Sequence, residues 1–280
     1  MTTITKDRIV FKIAKSFLKE RLISKNFNPE MINKYLIPAK LHSLPDYYLR
    51  LLESGANRQR SLGVISKPIG GIINLKKILF NFDVKKVTKV YSESDKLLDI
   101  IVTSFNLKNS KNKEINKGET GLWYKYCNTI ISGATFLNKF KDHHDFYAFV
   151  NFFHNDERAR NALPLLLKQE IKGFGLALSC DFLKESGFHW YAKTDIHLIE
   201  IFSRLGLSKS RIDYDVLNAV IRVADNNKQT PYTIDKIFWL IGSGKLYKDY
   251  DPKTGASLKI GRNREKFITY ADKILNSIRH

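Results

Sequence analysis

The chain has 280 residues, 43% of them hydrophobic and 12% aromatic, and carries 47 Lys and Arg against 28 Asp and Glu for a formal charge of +19. That composition excludes a disordered or low-complexity chain, and the charge points to a polyanion as partner. Two cysteines, Cys127 and Cys180, leave no basis for a disulfide framework or a thiolate metal site, and no run reaches the roughly 20 apolar residues of a membrane span.

The opening, MTTITKDRIVFKIAKSFLKERL, interleaves charge with apolar residues at helical spacing. It predicts a helix over 6–23 rather than a secretory signal. A soluble, cytoplasmic protein is expected, nucleoid-associated if the host is bacterial. The segment GVISKPIGGIINL, 63–75, mixes β-branched residues with glycines and a proline, and reads either as a strand or as an irregular loop. The polar run 106–119 reads as a linker. It suggests two regions, 1–117 of unassigned role and 118–280.

Apolar spacing of three and four then predicts helices over 119–141, 144–154, 157–170, 176–186, 195–206, 212–226, 231–242 and 264–278. The fold class expected is all-α. Residues 245–266 are rich in Lys, Gly and Asp and read as a surface loop whose basic residues can lie along a phosphate backbone.

The helix ending LLLKQE is followed by IKGFG and then by LALSCDFLKES, a helix, a tight turn and a second helix. Gly173 and Gly175 allow a sharp turn and a close approach of phosphate to the amides that open the second helix. Lys172, Gly173, Phe174, Gly175 and Leu176 are the candidate DNA-gripping residues, and such a grip reads no sequence. The same glycines equally serve as ordinary helix caps, and Phe174 as a packing residue. Further on, FHWYAKTDIHLIEIFSRLGL places a Thr-Asp pair at the start of another helix.

Hairpin and aspartate together resemble the helix-hairpin-helix DNA glycosylase superfamily, which includes endonuclease III-like and alkyl-base glycosylases. The close match covers 171–207, with a looser one over 119–243. The resemblance implies a helix-hairpin-helix glycosylase domain over 118–280, a double-stranded DNA substrate with a damaged or modified base, and a monomer. It makes Asp195 the catalytic carboxylate that stabilises an oxocarbenium-like sugar and orients water. Asp195 is also a natural N-cap for the helix from Ile196, and both roles can coexist.

Where lyase-active relatives carry a nucleophilic lysine, this chain has Ala177, which implies hydrolysis without strand cleavage. The alternatives are a glycosylase and lyase using Lys172 or Lys193, and a non-catalytic DNA-binding protein that keeps the hairpin. No four-cysteine cluster motif follows, so no iron–sulfur centre, metal or other cofactor is implied, with room for a monovalent cation at the hairpin. Candidates to hold a flipped base are Trp123, Tyr124, Tyr126, Ala177, Trp190 and Tyr191, although aromatic clusters serve more often as core.

Overall fold

A computed structural model describes residues 2–57, 63–108, 115–118, 121–252 and 254–278. Helix α1 (Thr3–Ile23) opens on Thr2, whose hydroxyl accepts from the Thr5 amide at 3.3 Å. Then come α2 (Leu44–Ala56), α3 (Val84–Val90), α4 (Ser94–Phe105), α5 (Leu122–Leu137), α6 (His143–Asn155) and α7 (Ala162–Glu170). The chain continues through α8 (Leu176–Glu185), α9 (Ile196–Arg204), α10 (Asp213–Asn226) and α11 (Pro231–Ser243) to α12 (Arg264–Ser277). The protein is mainly helical, with one small sheet among the described residues. No helix among them is long and apolar enough to cross a membrane.

The chain forms two compact units, one of Met1–Ala39 with Leu183–His280 and the other Lys40–Phe182. This division differs from a boundary at 117/118, which lies inside the second unit. The reason is packing of distant segments: α1 buries Val10, Ala14, Phe17 and Leu18 against α10, α11 and α12. A linear reading for linkers cannot see such a pairing.

In the first unit α1 is fixed to α10 through Asp7, which is fully buried. Arg222 donates to both carboxylate oxygens at 2.9 and 3.2 Å, and Asn226 adds a bond at 2.7 Å. A buried carboxylate needs this much compensation, and breaking such a pair costs about 3–5 kcal/mol.

Residues 245–266, expected as a loop, instead hold an antiparallel hairpin of β1 (Lys245–Tyr250) and β2 (Ser257–Lys259), with Leu246 opposite Leu258. Tyr35, at the end of the 3-10 helix Pro29–Tyr35, holds β1 by donating to Asp249 at 2.6 Å and accepting from the Lys248 amide at 3.0 Å. Leu246 is the one β1 residue buried, so polar composition masked the strand. Residues 63–70 are turns leading to a 3-10 helix, Ile72–Lys76, which settles that segment as irregular and not a strand.

In the second unit α5 is central, packing on α2, α3, α4 and α7. Its Trp123, Tyr126, Cys127, Ile130, Ala134 and Leu137 are buried. Each large apolar side chain so buried contributes about 1.5–3 kcal/mol. Two tyrosines bridge α2 and α5, Tyr126 donating to Leu52 O at 3.0 Å and Tyr48 to Ile130 O at 2.8 Å.

Candidate functional site

The hairpin belongs to the second unit. After α7 the buried Ile171 leads into a turn in which Phe174 N donates to Ile171 O at 3.0 Å. Gly173 sits at φ +86°, left-handed backbone that disfavours any side chain. Two α5 hydroxyls hold the turn: Ser132 Oγ accepts from Lys172 N at 2.9 Å, and Thr129 Oγ1 donates to Lys172 O at 2.7 Å. The Lys172 side chain is exposed.

Leu178 N and Ser179 N both donate to Gly175 O, at 3.1 and 3.0 Å, so the Leu176 and Ala177 amides lie ahead of the first intrahelical bonds of α8. Those amides and the helix dipole favour an anion. A Cβ built on Gly175 would meet nothing within 4 Å, which leaves open space over the turn.

The side chains of the hairpin divide by burial. Phe174 is only 6% exposed and its ring edge approaches Gly55, so packing accounts for it and not a surface contact to DNA. Leu176 is buried as well, which leaves its backbone as the part available to a ligand. Ala177 is half-buried. Of the aromatic candidates on α5, Trp123 and Tyr126 are core residues, whereas Tyr124 is half-exposed and remains available.

Asp195 lies in the first unit, on the chain that leaves α8. Tyr191 is fully buried and Trp190 nearly so, their rings packed beside Phe188, so both anchor this stretch as core. Asp235 of α11 fixes the backbone beyond them by accepting from Lys193 N at 2.6 Å. The same carboxylate oxygen lies 2.7 Å from Lys184 Nζ, and neither Asp235 nor Lys184 reaches solvent appreciably. Burial raises the Asp235 carboxyl above the usual range, against the pull of Lys184 and Lys236.

Asp195 caps α9 with extended backbone, φ −84° and ψ 178°. Its Oδ1 accepts from His197 N at 2.8 Å and Leu198 N at 3.2 Å, which fixes the carboxylate plane. Oδ2 has no hydrogen-bond partner among the described residues, and the residue is half-buried. His197 packs directly on α11, where a Cβ on Gly242 would fall 2.6 Å from its ring. Burial lowers the His197 pKa below its ordinary value, and Arg264, Arg262 and Lys245 lower it further while Asp195 opposes them. Asp195 thus presents an open carboxylate oxygen two residues from a histidine that feels the charge of Arg264, Arg262 and Lys245.

The first unit therefore gathers Trp190, Tyr191, Lys193 and Asp195, and the second holds Trp123, Tyr124, Tyr126 and the hairpin from Lys172 to Ala177. Sequence reasoning missed the buried pair of Asp235 and Lys184, and Arg262 and Arg264 as charges felt at His197. The signal for the last two lay in the basic stretch 245–266. Among the described residues no group of three or more His, Cys, Asp or Glu is placed to hold a metal ion. The chain matches no protein-family model, no curated protein and no solved structure.

Proposed function

We propose that the protein is a monofunctional DNA glycosylase that extrudes a damaged or modified base and cuts its bond to the sugar by hydrolysis. The observation that carries this reading is Asp195, a carboxylate at the head of α9 held at Oδ1 by two amides with Oδ2 open. As the bond to the base breaks, positive charge grows on the sugar, and a fixed anion stabilises that state without having to reorganise. Oδ2 is the oxygen able to orient the water that adds to the sugar carbon. Arg264, Arg262 and Lys245, whose charge is felt at His197, answer the flanking phosphates in this reading.

In this reading the hairpin grips the DNA backbone through the Leu176 and Ala177 amides, with Lys172 exposed beside them as a further charge. Ala177 carries a methyl group, which forms no Schiff base, so the strand stays continuous and an abasic site is left.

The test is incubation with duplexes that each carry one of a panel of damaged or modified bases, with mass spectrometry of released bases, a denaturing gel and borohydride trapping. Base release from a full-length strand with no trapped adduct is expected. A trapped adduct lost on mutating Lys172 or Lys193 would replace this reading with a combined glycosylase and lyase. Binding with no base released from any duplex would leave a DNA-binding protein, in which Asp195 acts as a helix cap alone.

A further inference from the structure

A second charged surface lies on the first unit, away in sequence from both the hairpin and Asp195. Lys12, Lys15, Ser16 and Lys19 of α1 line a groove with Phe11 and with Asn227 and Gln229, which follow α10. Its volume, about 390 Å³, falls within the roughly 300–1,000 Å³ of ligand sites.

The helical pitch puts Arg8, Lys12, Lys15 and Lys19 within about 60° of one another around α1, in a stripe about 16 Å long. That length matches about five phosphates on one strand of a duplex. Lys12, Lys15 and Lys19 are exposed, and none of them takes part in a salt bridge among the described residues. The acid nearest in sequence to the stripe's start, Asp7, faces inward and is neutralised by Arg222 and Asn226, so it cancels none of this charge. The same bonds make the wall rigid, and Arg8 Nε adds another from α1 to Asn226 O at 2.9 Å.

Lys228 lies between the two α10-side lining residues and is exposed in left-handed backbone at φ +52°. Glycine or asparagine would hold that position with less strain. This cation is carried at a conformational cost on the turn between Asn227 and Gln229.

We propose that this groove is a phosphate-backbone binding site for nucleic acid, an electrostatic grip in addition to the hairpin. The inference rests on the DNA-binding part of the proposed function and not on its chemistry.

The test is equilibrium binding of a short labelled duplex of undamaged bases across a salt series. The wild-type protein is compared with the triple variant Lys12→Ala, Lys15→Ala, Lys19→Ala and with a control of equal charge change, Lys85→Ala, Lys86→Ala, Lys89→Ala, on exposed positions of α3. Losing two to three phosphate contacts makes the slope of log K against log salt shallower by about 2 to 3 and weakens binding on the order of 100-fold near 0.1 M salt. The control should change binding by less than about threefold. The triple change to Arg should restore the wild-type slope, and melting temperatures check that each variant folds.

An unchanged slope, or equal losses in the α1 and α3 variants, overturns the groove as a site. So does unchanged duplex binding with lost binding to anionic lipid vesicles, which would assign the groove to a membrane surface. The two readings separate cleanly. A protein that excises a base with an unaltered slope sinks the groove alone, whereas one that excises nothing yet loses the slope sinks the glycosylase reading alone.

Discussion

Replacing Gly242 with alanine tests whether packing behind α9 holds Asp195 in place. The added methyl would lie 2.6 Å from His197 Cγ and Nδ1 and 2.7 Å from its Cβ. Rotating the imidazole away relieves the ring contacts but not the one at Cβ, so α9 and α11 must separate by a few tenths of an ångström or more. Overpacking of this kind costs about 1–3 kcal/mol. Alanine returns about 1 kcal/mol of helix propensity, and because the clash reaches the root of the side chain we expect a net loss of about 1–2 kcal/mol. His197 N is one of the two amides that hold Asp195 Oδ1, so the carboxylate shifts with it. A displacement near 1 Å lowers the rate by as much as about 100-fold. Urea unfolding and single-turnover base excision read the two effects, and combining Gly242→Ala with His197→Ala should recover part of the stability. A Gly242→Ala protein with wild-type stability and full excision would refute the reasoning.

Gly175→Val should fold like the wild type, since a Cβ at this position meets nothing within 4 Å, yet lose DNA affinity without sequence preference, as measured by fluorescence anisotropy. Asp235→Ala removes the buried carboxylate that pairs with Lys184 and accepts from Lys193 N, and should lower unfolding free energy by about 3–5 kcal/mol in urea titration. Asp235→Asn, which keeps an acceptor for Lys193 N–H, should cost less. Because His197 is held below its ordinary 6.5, the unfolded chain takes up the proton first as pH falls through that value. Its contribution to stability is therefore intact above about 6.5 and declines below it, and His197→Gln should flatten that part of a pH series of melting temperatures.

Most of the helices after residue 120 could be read from apolar spacing because their apolar residues recur at helical intervals, even on α11, where nearly every residue is buried. The expected 195–206 corresponds to α9, and 231–242 to α11 with Pro231 in its first turn. The N-terminal helices were harder. Helix α2 carries a usable signal, Ser43 capping Asp46 N with proline in the first turn, but its tyrosines and leucines bury against α5, a partner some 70 residues on that spacing cannot show. Strand β1 was lost because one buried leucine is too little for a period of two to register. The glycines at 173 and 175 looked alike in sequence, and only backbone angles separate the strained one from the open one.

At the candidate site the capping role of Asp195 was legible from the residue type and its position. Its surroundings were not. Asp235 and Lys184 are charged residues on helices, which by pattern belong on a solvated face. They sit in the interior paired with one another, 51 residues apart in sequence, with Glu185 beside Lys184 and Lys236 acting on Asp235. Trp123, Tyr126, Trp190 and Tyr191 show the converse, since large aromatics read as pocket candidates are as readily spent on core.

The central claim is that Asp195 works on the sugar and does not merely cap a helix, and Asp195→Asn tests it most directly. The amide keeps an oxygen where Oδ1 accepts from His197 N and Leu198 N, so folding and DNA binding should be retained while the charge is removed. On a duplex that the wild-type protein processes, single-turnover excision should fall by at least about 100-fold. Excision near the wild-type rate, in a variant of unchanged melting temperature, would contradict the account.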